Sequence, residues 1–262
     1  MIVITRKKRW FILEWHVGCS GWNYKGWGNV FYPIKMPESR QLSYYSSVFD
    51  TVEINSTFYN IPSKTITRGW YERTTEDFIF TVKTFRGITH EIHQRLNKYE
   101  LEPLLAKFYD SIIPLKDKLH AILYQFPPSF TLNRFKKDFF KLVDMIPLKI
   151  PVAFEFREKN WFHDEYLLQM IKGENLFSIA GSVHHSIIKP FIETTGSQFL
   201  FRFIGDRTLT TFGKIQRDRK EEMQRIKKII DNKIQGIRDI FIYFNNHYAG
   251  FGPESANIFH SW

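Results

Sequence analysis

The chain has 262 residues, 43% hydrophobic and 17% aromatic, with a single cysteine and a formal net charge of +10. That length and apolar content suit one large α/β domain rather than two small ones. The lone Cys19 excludes an intramolecular disulfide and a cysteine metal cluster. No apolar run approaches the roughly 18 residues of a membrane-spanning helix.

Taken in chain order, residues 1–14 read as a basic extension carrying Arg6, Lys7, Lys8 and Arg9 against Glu14. The stretch lacks the long apolar centre of a signal peptide, so a cytoplasmic protein with no membrane partner is expected. A first strand over 15–20 leads into GWNYKGW, and a helix follows near 38–49. A second strand at 51–58 precedes a helix at 63–73. A third at 78–84 precedes a polar loop with Thr89 and His90, then a helix near 100–113. The fourth, 119–126, is stopped by Pro127 and Pro128 and followed by a helix at 131–145. The fifth, 152–157, leads to a helix near 163–172 that Asp164 or the residues just before it can cap. A sixth at 177–183 is followed by a poorly patterned stretch, and a seventh spans 199–204. Met223, Ile226, Ile229, Ile230 and Ile234 then form one apolar helical stripe. An eighth strand at 239–245 and a short closing helix at 253–259 complete the chain.

Eight apolar strands alternating with helices imply parallel pairing. No strand is followed by a glycine-rich phosphate fingerprint, which disfavours an open dinucleotide-binding sheet. The expected fold is a single (β/α)8 TIM-type barrel over residues 15–262.

A polar residue recurs where these apolar strands end, the rim at which such barrels place their chemistry. The series is Glu53 and Asn55, Lys83, Gln125, Glu155 and Arg157, Arg202, then Asn245, Asn246 and His247. Residues two apart in a strand share a face, so Glu53 pairs with Asn55, and Glu155 with Arg157. The second and fifth strands lie across a barrel from each other. Glu53 and Glu155 can therefore act as a catalytic carboxylate pair of the kind used by glycosidases, or be neutralised by rim cations. Lys83, Arg157 and Arg202, with His90 and His247, can hold a phosphate or carboxylate.

No cofactor is required by the sequence. A divalent metal is possible among Glu53, His90, Glu155, Asn245 and His247, without a short-range ligand motif to support it. Cys19 and Ser20 match the nucleophile elbow poorly. Trp22, Tyr24, Trp27, Phe58, Tyr59 and Trp161 can stack on a sugar or a base, or roof the barrel as a second small core; of these, Trp161 is read as substrate-binding.

Seven segments in order resemble the YecE-like family, also called domain of unknown function 72. They are GCSGWNYKGW (18–27), FYP (31–33), FDTVEINSTFY (49–59), FTVKTFRGITH (80–90), ILYQFPPSF (122–130), FEFREKNW (154–161) and YFNNHYAG (243–250). The resemblance implies a TIM-type barrel and supplies no function. It also marks two departures: Ile204 stands where the family usually has His, and Ser182 and His184 are the candidates where it often has Asp.

The functional expectation is a hydrolase-like enzyme using general acid/base chemistry. Its substrate would be a small anionic or sugar-like molecule, a phosphoester or glycoside, bound at the C-terminal mouth. The alternative is a non-catalytic nucleic-acid or polyanion binder using the basic segments 6–9 and 214–238.

Overall fold

The computed structural model describes residues 13–147, 149–173, 176–185, 187, 189–192, 198–233 and 237–262. The basic residues Arg6–Arg9 and the stripe residue Ile234 lie outside them.

Among the described residues, nine strands form one all-parallel sheet. They are β1 (Glu14–Ser20), β2 (Thr51–Ile54), β3 (Ile79–Lys83), β4 (Leu119–Gln125), β5 (Val152–Glu155), β6 (Phe177–Ile179), β7 (Gly181–His184), β8 (Gln198–Gly205) and β9 (Asp239–Phe244). The order is β6-β5-β4-β3-β2-β1-β9-β8-β7. The two outer strands, β6 and β7, are consecutive pieces of one run interrupted at Ala180. The first piece pairs with β5 and the second with β8. The sheet thereby curls into a nearly closed parallel barrel. The sixth expected strand is thus present as two pieces, which is why nine strands stand where eight were read.

Side chains two apart line the barrel interior in layers. Leu123, Ala153, Ala180, Leu200, Phe241 and Tyr243 form a small apolar cluster separate from the large one between sheet and helices. The Tyr243 hydroxyl lies 2.8 Å from Thr51 Oγ1 and 2.8 Å from Thr81 Oγ1, tying β9 to β2 and β3. One step further towards the C-terminal ends, the same inward positions are Glu53, Lys83, Gln125, Glu155 and Arg202. The rim polarity read from the sequence is therefore the last interior layer.

Two strands end earlier than expected. After Ile54 the chain turns at Asn55 into a short 3-10 helix, Ser56–Phe58. The Thr57 hydroxyl fixes that turn by donating to the carbonyls of Ile54 (3.1 Å) and Lys83 (2.6 Å). After Glu155 the chain leaves β5 for the turn holding Arg157. The polar loop expected at Thr89 and His90 instead contains a helical turn, Arg86–Thr89, and a second short helix, Ile92–Asn97. The Asp164 cap is present: its Oδ1 accepts from the Leu167 amide at 2.9 Å. The stripe helix is Lys220–Lys233, with Met223, Ile226 and Ile230 buried. Among the described residues, no helix is long and apolar enough to cross a membrane.

Gly205 closes β8 with φ +78°, and a Cβ there would lie 2.2 Å from the His247 carbonyl oxygen. Gly205→Ala is expected to lose about 1–3 kcal/mol from the backbone conformation alone, and more from the backbone clash. Urea unfolding measures the loss; an unchanged midpoint would show that this close approach is not obligatory.

Candidate active site

Arg202, from β8, sits at the centre of the last interior layer and is 2% exposed, between two fully buried carboxylates. Its Nε donates to Glu53 Oε2 at 2.5 Å and its Nη2 to Glu53 Oε1 at 2.8 Å, a two-point contact. Its Nη1 donates to Glu155 Oε2 at 2.5 Å. Arg157 Nε donates to the other Glu155 oxygen at 2.7 Å, and Asn55 Nδ2 to Glu53 Oε1 at 2.7 Å. Each glutamate is thus joined to the residue two positions on, which lies in the turn after its strand, and both are joined across the barrel by one guanidinium.

Charge balances within this group: two arginines face two carboxylates. Burial alone pushes the Glu155 carboxyl up, but Arg202, Arg157 and Lys83 outweigh it and hold it down at about 2. Burial disfavours the charged form of Arg202, and the two carboxylates more than reverse that. The guanidinium occupies the space between the carboxylates that a scissile glycosidic bond would need.

Above this layer opens a cavity of about 350 Å³. Its ionisable lining is Lys83, Arg157, Arg202, Arg207, His247, Tyr24 and Tyr59, with no carboxylate among the described residues. Asn55, Gln125, Asn245 and Asn246 supply amides, and Phe58, Tyr59 and Phe212 supply aromatic walls. Of the twelve site residues read from the sequence, eight line this cavity. The glutamates lie beneath it. His90 and Trp161 lie elsewhere.

His90 borders a neighbouring cleft with Thr89, His93 and Arg134. The Phe58 ring stands between it and the mouth, 5.0 Å from the imidazole and 4.2 Å from Lys83 Nζ. Burial first, then Lys83 and Arg86, lower His90 to about 4. Trp161 is a core residue: fully buried, it stacks on Phe130 and Phe156 and donates from Nε1 to the Phe130 carbonyl at 2.7 Å. Trp27 is likewise buried, and Tyr24, Phe58 and Tyr59 face the cavity, so the rim aromatics divide between core and pocket.

The surroundings of Cys19 agree with its poor match to a nucleophile elbow. The residue is wholly buried, and burial pushes its thiol far up, which keeps it protonated.

Two lining residues, Asn246 and His247, have their side chains fixed by hydrogen bonds. Asn246 Oδ1 accepts from Trp27 Nε1 (3.0 Å) and from the Gly252 amide (2.9 Å), which fixes the side-chain amide. Its Nδ2 is buried with no hydrogen-bond partner among the described residues. His247 Nδ1 lies 2.9 Å from the Leu209 carbonyl, which can only accept, so Nδ1 carries the proton and Nε2 a lone pair. Burial lowers the His247 pKa, and the Leu209 contact only partly opposes this.

Sequence reasoning missed Arg207 and Phe212. Both lie in the loop after β8, where no periodicity marks them. Arg207 is exposed at positive φ (62°) and makes no hydrogen bond or ion pair among the described residues. The possible metal ligands are not gathered at the mouth, because the glutamate oxygens are engaged and His90 faces another cleft. A cluster of Glu14, His16 and Asp239 lies at the opposite end of the barrel, with His16 Nδ1 2.6 Å from Asp50 Oδ2. In the basic segment 214–238, Arg217, Arg219 and Lys227 pair with Asp206, Glu222 and Asp231.

Comparison with known proteins gives a consistent picture. The profile of a family described as "Protein of unknown function DUF72" matches residues 16–261. The UPF0759 protein YunF of Bacillus subtilis (strain 168) is 26% identical over 264 residues, covering 92% of each chain. The UPF0759 protein YecE of Escherichia coli (strain K12) is 24% identical over 147 residues, 56% of this chain and 50% of its own. A crystal structure of a DUF72 family protein from Enterococcus faecalis V583 superposes with a TM-score of 0.75 at 22% identity, covering 96% of this chain and 98% of that one. One from Thermotoga maritima gives 0.67 at 23% identity, covering 94% and 96%.

Removing one partner of a buried ion pair costs about 3–5 kcal/mol. Glu155→Gln is therefore expected to lose stability of that order at pH 7, measured by urea unfolding. The folded-state pKa is depressed, so the contribution of Glu155 is present above the unfolded value near 4.5 and is lost as pH falls through about 2. Across that window the wild type is expected to lose more stability than the variant. Parallel acid profiles would show that Glu155 is not held ionised.

Proposed function

The chain belongs to the DUF72 family of proteins of unknown function, and we propose that it is an enzyme acting on a small anionic substrate at the C-terminal mouth of its barrel. One observation carries this reading. The glutamates neutralise Arg202 and Arg157, which leaves Arg207 as an uncompensated cation in a cavity with no carboxylate in its described lining. An anion supplies the missing charge. Phosphate and carboxylate oxygens match the guanidinium of Arg207, with further donors from the outer edge of Arg157. The cavity volume falls within the range of small-molecule sites.

The hydrolytic reading from sequence rested on the two glutamates as proton carriers. With both engaged by arginine, the proton-transferring group best supported at the cavity is His247, whose Nε2 carries the lone pair. Glu53 and Glu155 then serve as positioning residues that fix Arg202, Arg157 and Asn55. A glycoside draws less support than an anion, since no free carboxylate pair flanks the cavity. The nucleic-acid alternative draws less support as well, because three cations of the 214–238 segment already have carboxylate partners.

Titration calorimetry with inorganic phosphate and with citrate tests the proposal. One of the two is expected to bind. Arg207→Gln, a change at an exposed position, should weaken binding roughly ten- to a hundredfold, the effect of a charge-assisted contact worth about 1.5–3 kcal/mol. Failure of both anions to bind the wild type, or equal binding by the variant, would contradict an anion site at the mouth.

A further inference from the structure

Among the described residues two lysines are buried, and they are treated differently. Lys118 Nζ donates to the Tyr71 carbonyl (2.9 Å), the Thr74 carbonyl (3.0 Å) and Thr74 Oγ1 (3.0 Å). Those three acceptors satisfy an ammonium. Lys83 Nζ has one hydrogen-bond acceptor, Gln125 Oε1 at 2.8 Å, and lies over the Phe58 ring. It forms no ion pair among the described residues. The orientation of Gln125 is fixed, because its Nε2 donates to the Phe126 carbonyl at 2.8 Å. Lys83 is 8% exposed, and what it exposes is part of the cavity lining.

An ammonium has three donors and a strong need for solvation, so this is a poor environment for the charged form. A neutral amine suits it: one N–H meets Gln125, and the lone pair is left for the cavity. Burial first, then Arg202, lower the Lys83 pKa, and Glu53 and Glu155 only partly restore it, leaving it at about 7. Near neutrality a large fraction of the amine is therefore unprotonated, the condition under which a lysine becomes a nucleophile.

We propose that Lys83 is a covalent catalyst whose amine condenses with the carbonyl carbon of an anionic aldehyde or ketone, the anion being held by Arg157 and Arg207. This deepens the anion-site reading of the mouth and rests on it. The amine adds to the carbonyl carbon, forming a C–N bond and a carbinolamine. The carbonyl oxygen then leaves as water, and a cationic imine remains. From the ammonium form the balance is lysine-NH3⁺ plus carbonyl giving iminium plus water, with no oxidant or reductant. The iminium draws electrons from its neighbouring carbon, whose proton His247 Nε2, lining the same cavity, is the base to remove. Arg202 and the glutamates beneath act through Lys83 by setting its field.

Imine trapping tests this directly. The protein is incubated with pyruvate, a carboxylate probe, or with dihydroxyacetone phosphate, a phosphate probe, and reduced with borohydride. Intact mass and peptide mapping follow. The expected result is a permanent increase equal to the probe less one oxygen, on the peptide containing Lys83, for at least one probe. Its rate should rise with pH through a midpoint near 7. Lys83→Arg keeps a cation and Lys83→Met keeps the volume; both should lose the adduct, and mapping of the wild type stands even if one variant fails to fold. Thermal-shift titration of the same probes, without borohydride, separates the two claims. Probes that bind without forming an adduct, or an adduct scattered over surface lysines, overturn the role of Lys83 and leave the anion site standing. Probes that neither bind nor react overturn both.

Discussion

A guanidinium buried among carboxylates needs more than one partner, since desolvating it costs several kcal/mol and a single contact does not repay that. Arg202 meets the condition with three short bonds to two glutamates on strands from opposite sides of the barrel. Much of the rest of the mouth follows from this contact. It fixes Glu53, which orients Asn55, and Glu155, which orients Arg157. It removes both carboxylates from chemistry near neutral pH by holding them as counter-ions. It also places a positive charge in the same layer as Lys83, which adds to burial in favouring the neutral amine.

The fold makes the contact possible by aligning inward positions in layers. Glu53, Glu155 and Arg202 each lie two residues beyond an inward residue of the layer below: Thr51, Ala153 and Leu200. The buried layer under the ions, apolar apart from Thr51, Thr81 and the Tyr243 hydroxyl bonded to them, keeps the local dielectric low, which strengthens each of these bonds. Splitting one barrel strand at Ala180 lets the chain change partner from β5 to β8, so β8 is drawn close enough to deliver Arg202 to both glutamates. Gly205 then allows the chain to pass directly against the His247 backbone, bringing the β8 and β9 loops together around the cavity.

Part of this was legible in the sequence for a plain reason: strands have a period of two. Apolar runs ending at Glu53 and Glu155 announce inward carboxylates; Asn55 and Arg157, two positions on, bond to them from the turns after β2 and β5, where that period no longer applies. The alternation of strands and helices carried the barrel itself. What the period cannot carry is which residue from across the barrel occupies the middle, so the engagement of both glutamates by Arg202 was one of two open readings. Arg207 and Phe212 were hidden because a loop has no period. Trp161 was misplaced because an aromatic just past a strand end can turn to either side of the barrel wall, and here it joins the outer stack with Phe130 and Phe156. His90 was assigned to the mouth because the helical turn that carries it behind Phe58 was read as a loop.

The central claim is that Glu155 is a fixed counter-ion and that the proton-exchanging groups at the mouth are Lys83 and His247. Side-chain carboxyl resonances followed by NMR from pH 7 downwards, assigned with Glu155→Gln, test it most directly. The account predicts that Glu155 stays ionised down to pH 3 and titrates near 2, or protonates only as the protein unfolds. A midpoint at or above 5 in the folded protein would contradict it, and would return Glu155 to the role of a proton donor.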